Sequence, residues 1–242
     1  MENFLLFETE LPHGCGFQLF GFCHLTWLGI IIFVTYITSK WYNTKNIQEQ
    51  NSINKKIGLL LPVLGLYRDI ILAGTGYYQI GFLPFHLCSM ALWIAFFYAW
   101  TCKEWLGVIY IGICLPGAVA ALVFPNWEAY PLWNYMHIHS FVSHGLIVLF
   151  GIWLIWSRRC VLTWKQFRIV VLFGALGFII LYYVNLCLGT NFWFLNKPSH
   201  GSPLVWLAKV VPDGWYLLGY FIFCAVIVGA WYAIVVHIQK KH

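Results

Sequence analysis

The segment from residue 167 to residue 188 decides the fold class, and it reads FRIVVLFGALGFIILYYVNLCL. A helix of this length spans about 33 Å, which is enough to cross a hydrocarbon core of about 30 Å. Arg168 is its only charged residue, and polar and apolar residues do not alternate as they would in a barrel strand. The segment therefore predicts a membrane-spanning helix.

The composition of the whole chain agrees with this prediction. Of its 242 residues, 61% are hydrophobic, 20% are aromatic and 9% are charged, whereas a soluble domain has about 25% charged residues. Such a chain cannot bury its apolar surface in water. A cytosolic enzyme, a nucleic-acid-binding protein and a disordered chain are therefore excluded, and a polytopic membrane protein remains.

Further apolar runs predict an all-α protein with seven transmembrane helices, forming a single domain over residues 1–242. The predicted spans cover approximately residues 17–38, 57–77, 83–100, 105–124, 135–156, 167–188 and 215–237. Pro62 and Pro116 fall inside the second and fourth spans, where prolines are tolerated and predict kinks.

The placement of Lys and Arg predicts the orientation, because cytoplasmic loops carry an excess of both residues. Eleven basic residues lie in the first, third and fifth loops and at the C-terminus: Lys40, Lys45, Lys55, Lys56, Lys103, Arg158, Arg159, Lys165, Arg168, Lys240 and Lys241. The opposite side carries only Lys197 and Lys209. The N-terminus is therefore predicted outside the cell and the C-terminus in the cytoplasm of a multi-pass cell-membrane protein, and this topology accounts for the net charge of +6.

The histidines collect on the predicted outer side. Seven of the nine lie there: His13, His24, His86, His137, His139, His144 and His200. The helical period places Asn134, His137 and His144 on one face of the fifth span, whereas His139 points elsewhere. Single histidines suit the membrane interface, but His144 lies about 14 Å inside its span, where polar groups are costly and usually functional.

Two further polar positions allow a structural and a functional interpretation. Arg68, beside Asp69 in the second span, is either half of a buried ion pair or an anchor for a phosphate or carboxylate. Asn185, near the outer end of the sixth span, is either a link between helices or part of the same polar pocket.

Eight cysteines are present without paired spacing, so neither a disulfide framework nor a zinc knuckle is indicated. Cys88 differs from the others because it lies in LPFHLCS, residues 83–89, near the outer end of a span. A neighbouring imidazole can make a thiol nucleophilic by accepting its proton. His86 lies about 200° around the helix from Cys88, so a histidine of another helix fits better, and His144 is the leading candidate.

Two stretches resemble one family of membrane proteins. The LPFHLCS stretch is similar to the LPxHLCS signature of the YwaF-type bacterial membrane proteins, which are related to vertebrate transmembrane protein 164. The stretch NFWFLNKP, residues 191–198, followed by Ser202-Pro203-Leu204 and Trp215-Tyr216, resembles the pattern after the sixth helix of that family. The sequence VPDGWY, residues 211–216, departs from the GPWPWY pattern of the family.

The resemblance implies an acyltransferase in a bacterial plasma membrane that moves a fatty acyl chain from a phospholipid to a lysophospholipid. Carried over by position, the nucleophile is Cys88, and the base is His144 with His137 as the next choice. Asn185 and Asn191 would donate hydrogen bonds to the oxyanion. His86, Asn134 and Arg68 would support the site or bind substrate, and no metal or other cofactor is expected.

Two other functions stay open on the sequence. Histidines 86, 137, 139 and 144 could bind zinc in a lipid hydrolase, although few carboxylates are available to orient them. A receptor, transporter or assembly factor with an outward polar cavity is the non-enzymatic alternative, although the chain lacks the internal repeat common in transporters.

Overall fold

The computed structural model describes residues 3–212 and 214–241, and all regular structure within these ranges is helical, without a strand. Six helices are long and apolar enough to cross a membrane: α1 (Phe22–Asn43), α2 (Ile47–Gly74), α4 (Glu104–Val123), α5 (Tyr135–Trp156), α6 (Phe167–Leu188) and α8 (Tyr216–Lys241). Two helices are shorter, α3 (Leu87–Thr101) and α7 (Pro203–Val210). The chain is therefore a polytopic membrane protein. Asp213, in the loop that departs from the family pattern, lies outside the described residues.

Six of the seven predicted spans coincide with these long helices, but the third does not reach spanning length. Helix α3 has 15 residues and begins at Leu87 rather than at residue 83, so it is about 22 Å long. A short 3-10 turn at Ile80–Phe82 and Pro84 precede it. Because the residue before a proline disfavours the helical conformation, the chain stays extended at Leu83, where ψ is 147°.

Apart from the short α7, successive helices run in opposite directions between the two ends of the bundle. We call the end at which α1, α3, α5 and α8 begin the upper end, and the opposite end the lower end. Helix α4 is the central helix, since most of its apolar window is buried, whereas α1, α6 and α8 leave most of theirs exposed. In an aqueous protein such exposed apolar faces would be unfavourable, but lipid covers them in a membrane.

Helix α4 contains a π-helical turn, Tyr110–Cys114, directly before Pro116. Proline has no N–H to donate, so the regular hydrogen-bond ladder is interrupted there. A neighbouring helix supplies one replacement, because Trp231 Nε1 donates to the backbone oxygen of Ile111 at 2.8 Å. Pro62, the other proline that falls inside a predicted span, lies within α2 and is buried.

Close packing against α2 positions α3. A Cβ atom on Gly58 would lie 2.6 Å from the Cβ of Ala99, and one on Gly65 would lie 2.9 Å from Leu92 Cδ1. Glycine is therefore required at position 58 for α2 and α3 to approach this closely, whereas at position 65 a shift of the Leu92 side chain could make room. The contact holds α3 at a defined height beside the longer helices.

Candidate functional site

Cys88 lies in the first turn of α3, at the upper end of the bundle. Its side chain is half-buried and packs against the main hydrophobic core. The residue at the N-cap of the helix is His86, in extended conformation (φ −64°, ψ 144°), and its side chain does not cap the helix. Within the described residues, the backbone N–H groups of residues 87–89 and the Cys88 thiol form no hydrogen bond to another residue.

The two stretches that carry the family resemblance meet at this point. The His86 ring lies 5.1 Å from the Phe192 ring and 5.7 Å from the Phe194 ring, centroid to centroid. Leu83 and Leu87 pack against the hydrophobic cluster that contains Phe192 and Trp193. Segments about 100 residues apart in the sequence therefore form one surface beside Cys88.

The segment at residues 189–199, which we call the aromatic loop, is held by side chains of the helices on either side of it. Asn185 Oδ1 accepts from the Phe192 N–H at 2.7 Å, and Asn185 Nδ2 donates to the Phe192 oxygen at 3.0 Å. On α8, Tyr216 and Tyr220 donate to the backbone oxygens of Phe194 and Trp193 at 2.9 and 2.8 Å. These bonds fix the loop over the beginning of α3.

The backbone of the aromatic loop is strained, because Trp193 and Phe194 both have left-handed φ values, 55° and 56°. Such a conformation costs of the order of 1–3 kcal/mol per residue and persists only where the surroundings enforce it. Asn191 contributes from within the loop, since its Oδ1 accepts from the N–H groups of Asn196 and Lys197 at 2.9 and 3.1 Å. The amides of both predicted oxyanion donors, Asn185 and Asn191, are thus engaged in holding the loop.

His144 lies in α5 with one ring nitrogen hydrogen-bonded. Its Nδ1 donates to the Ser140 oxygen at 2.7 Å, which leaves Nε2 as the nitrogen with a lone pair. The ring stacks on Trp127 at 4.9 Å with 22° between the planes. Helices α3 and α5 contact each other, but Cys88 and His144 are not hydrogen-bonded in the described residues.

Arg68, in α2, lies toward the upper end of the bundle, as do three histidines. The guanidinium binds the Asp69 carboxylate at 2.7 Å and donates to the Phe82 oxygen at 3.3 Å. His86 precedes α3, and His139 and His144 lie in the upper half of α5. We call Arg68 and these three histidines the upper polar cluster.

His139, which the helical period places on a different face of α5 from His137 and His144, has polar and aromatic contacts of its own at the upper end. Its Nε2 is hydrogen-bonded to Ser143 Oγ at 3.3 Å, and its ring stacks on Tyr135 at 5.7 Å. Tyr135 also contacts Tyr67 of α2, next to Arg68. The i, i+4 spacing of Tyr135, His139 and Ser143 was the signal that could have identified this second polar face of α5.

His137 is buried apart from this cluster, and both of its ring nitrogens are hydrogen-bonded. Nδ1 donates to the Tyr130 oxygen at 3.2 Å, and Nε2 accepts from Trp27 Nε1 at 2.9 Å. His137 therefore joins α1 to the loop before α5.

Asn134 caps α5 and binds the N-terminal segment. Its Oδ1 accepts from the Met136 N–H at 2.8 Å, and its Nδ2 donates to the oxygens of Asn3 and Leu6 at 2.8 and 2.9 Å. All three contacts are structural, and the residue is fully buried. Asn134 thus holds the N-terminal segment over the upper end of the bundle.

Within residues 3–212 and 214–241, no three His, Cys, Asp or Glu side chains are grouped to hold a metal ion. The side chains found at the upper end of the bundle with Cys88 are imidazoles, one guanidinium and aromatic rings. These groups can move protons, bind an anion and contact apolar chains, respectively.

Comparison with known proteins gives one family. The sequence model of the TMEM164 family matches residues 19–232, which is most of the chain and includes both resembling stretches. No curated protein and no solved structure matches significantly.

Proposed function

We propose that this chain, which belongs to the TMEM164 family, transfers a fatty acyl group between membrane lipids through a thioester on Cys88. The observation that carries the proposal is the contact between the LPFHLCS stretch, which contains Cys88, and the apolar aromatic loop at the upper end of the bundle. A nucleophile beside an apolar wall suits a substrate that carries an acyl chain. Phospholipids and lysophospholipids are the proposed substrates.

The packing of α3 and α5 supports the pairing of the proposed nucleophile with the proposed base. The two helices contact each other, and the Tyr98 hydroxyl in α3 donates to the Arg159 oxygen beyond the end of α5 at 3.2 Å. Cys88 lies in the first turn of α3 and His144 in the third turn of α5, so both lie toward the upper end of the bundle.

In the proposed first half-reaction, His144 Nε2 accepts the Cys88 thiol proton and the thiolate attacks the ester carbonyl of the donor lipid. The C–S bond forms, the C–O bond breaks, and the leaving lysolipid oxygen takes the proton from His144. Because Ser140 holds Nδ1–H, the ring offers Nε2 in the correct tautomer. Catalytic hydrogen bonds often form only with substrate bound, so the absence of a Cys88–His144 bond is compatible with this role.

In the second half-reaction, the hydroxyl of the acceptor lysolipid gives its proton to His144 and attacks the thioester. The new C–O bond forms, the C–S bond breaks, and Cys88 recovers a proton from His144. The unbonded N–H groups of residues 87–89 are the donors we propose for the oxyanion, since they surround the thiol. Asn185 and Asn191 then act as positioning residues for the aromatic loop.

Arg68 is the group we propose for a lipid phosphate, because a guanidinium matches phosphate oxygens in charge and geometry. His86 supports the site by packing the start of α3 against the aromatic loop. His137 and Asn134 support it indirectly by fixing the start of α5.

The eleven basic residues of the sequence interpretation lie toward the lower end, and this supports the proposed orientation with the lower end in the cytoplasm. The proposed site then faces the outer leaflet of a bacterial cell membrane. We also propose that the short α3 completes a seven-helix single domain over residues 1–242, together with the extended residues that precede it.

The test is acyl transfer by the purified protein in vesicles that contain a phosphatidylcholine donor and an isotope-labelled lysophospholipid. Mass spectrometry should detect labelled diacyl product with the wild-type protein, none with Cys88→Ala, and at least a hundredfold less with His144→Ala. Cys187→Ala is the matched control, since this cysteine is exposed on α6, and it should retain full activity. Elution volumes in size-exclusion chromatography and thermal unfolding transitions equal to those of the wild-type protein would show that the variants fold.

Intact-mass measurement provides the second readout. The wild-type protein mixed with donor alone should gain the mass of one acyl group, and hydroxylamine should remove it. Product formation by Cys88→Ala at the wild-type rate would refute the thioester mechanism. An unchanged rate in His144→Ala would remove His144 from the role of the base and leave the nucleophile in place.

A further inference from the structure

A cavity of about 360 Å³ lies at the lower end, between the connection from α5 to α6 and the last turn of α8. Its lining contains Arg158, Thr163 and Trp164 on one side and Val236, Gln239 and Lys240 on the other. The volume lies within the range of about 300–1,000 Å³ that is typical of ligand sites. Arg158 follows His144 by 14 residues, so the cavity lies about 20 Å from the proposed catalytic site.

The walls of this cavity are fixed by hydrogen bonds of a buried glutamine. Gln239 Oε1 accepts from the Leu162 N–H at 2.8 Å, and its Nε2 donates to the Cys160 oxygen at 2.8 Å. The Tyr232 hydroxyl donates to the Thr163 oxygen at 2.8 Å. The connection between α5 and α6 is thus tied to α8 along its length, and the cavity is a built feature of the fold.

The charge of the cavity is positive. Arg158 and Lys240 line it, and none of its lining residues is acidic. The Arg158 backbone has a left-handed φ of 57°, and its Nη1 donates to the Gln239 oxygen at 2.6 Å, at the end of α8. The left-handed Arg158 ends helix α5, which turns its side chain toward the end of α8, and the other guanidinium N–H groups can bind a ligand.

We propose that this cavity binds the phosphate of an anionic phospholipid from the leaflet at the lower end. Two cations without a carboxylate favour a phosphate that carries net negative charge. Trp164 is exposed and marks the membrane interface, where tryptophan is enriched. The adjoining faces of α6 and α8 expose Leu172, Val171 and Ile234, along which acyl chains can extend. The proposal is independent of acyl transfer at the upper end.

The test is native mass spectrometry of the full-length protein in detergent with short-chain phosphatidylglycerol, short-chain phosphatidylcholine or inorganic phosphate. Phosphatidylglycerol should bind more tightly than phosphatidylcholine. Lys240→Gln should weaken phosphatidylglycerol binding about fivefold, the factor expected for one lysine near a lipid headgroup. Lys241→Gln is the matched control, because it removes the same charge one residue away, outside the cavity lining, and it should change binding less than twofold.

Three results would overturn the proposal. Equal affinity for the two lipids would remove the charge selectivity, and equal weakening by Lys240→Gln and Lys241→Gln would mean that only the overall charge matters. Displacement of phosphatidylglycerol by an equal concentration of inorganic phosphate would make a soluble phosphate compound the ligand instead of a lipid.

An Arg158→Lys variant that keeps the charge should retain most of the binding, and an unchanged thermal transition would show that it folds.

Discussion

Asn185 supports the aromatic loop through three hydrogen bonds, and Asn185→Ala removes all of them. Two join it to the backbone of Phe192, and the third accepts from the Thr190 hydroxyl at 2.9 Å. Asn185 is 1% exposed and Phe192 is fully buried, so water cannot replace these partners without opening the loop. An unsatisfied buried polar group costs about 1–3 kcal/mol, and we expect a total loss of about 3 kcal/mol.

Hydrogen exchange measures this loss locally. A loss of about 3 kcal/mol raises the opening equilibrium of the aromatic loop about 100-fold. The amides of residues 189–199 should therefore exchange about 100-fold faster in Asn185→Ala than in the wild-type protein. Mass spectrometry of the protein in detergent measures this exchange. In Asn191→Ala, whose side chain is partly exposed, water can replace the lost contacts, and the increase should stay below about fivefold.

The two variants also separate support of the loop from a direct role in catalysis. If Asn185 acts by positioning the loop, acyl transfer and exchange should change together in Asn185→Ala. Exchange that stays within about fivefold of wild type in Asn185→Ala would refute the assignment of these hydrogen bonds as the support of the loop. Lost activity with unchanged exchange would instead restore Asn185 as an oxyanion donor.

Two further predictions concern stability, and thermal unfolding in detergent measures both. Gly177→Ala should destabilise the protein by about 1–3 kcal/mol, because its new Cβ would lie 2.6 Å from the ring of buried Trp193. Gly174→Ala, on the same helix with its nearest neighbour at 3.4 Å, should have little effect, and equal transitions for the two variants would contradict the packing. His24→Ala should cost about 2 kcal/mol, since the fully buried ring bonds the buried Leu122 oxygen through Nε2 and accepts from the Phe20 N–H through Nδ1. His13→Ala, at an exposed position, should cost less than about 0.5 kcal/mol, and a similar shift for both histidines would refute the structural role of His24.

The boundaries of some helices follow from apolar length alone, and others do not. The predicted spans at residues 135–156 and 167–188 match Tyr135–Trp156 and Phe167–Leu188, because in both segments the apolar run and the helix end together. Helix α2 begins at Ile47, ten residues before its predicted start, since the capping box of Asn46 and Glu49 begins the helix within a polar stretch. Helix starts are set by capping groups, whereas membrane spans are set by apolarity.

The candidate site was predictable in part. The LPFHLCS stretch identified Cys88, but no spacing within the chain could show that Phe192 and Phe194 would lie beside His86. Such a contact depends on the packing of α3 against segments distant in the sequence. The polar contacts of His139 were hard to predict for a related reason, because α5 is surrounded by several helices and carries polar residues on more than one face.

The late start of α3, at Leu87 rather than at residue 83, leaves the N–H groups of its first turn free for the proposed lipid ester. In a helix that began at residue 83, the N–H groups of residues 87–89 would bond to the carbonyls one turn above them. Because α3 begins at Leu87 without a side-chain cap, these N–H groups and the positive end of the helix dipole lie around Cys88. A helix N-terminus favours a thiolate and, during the reaction, an oxyanion. The departure of α3 from spanning length therefore supplies the hydrogen-bond donors that the proposed chemistry requires.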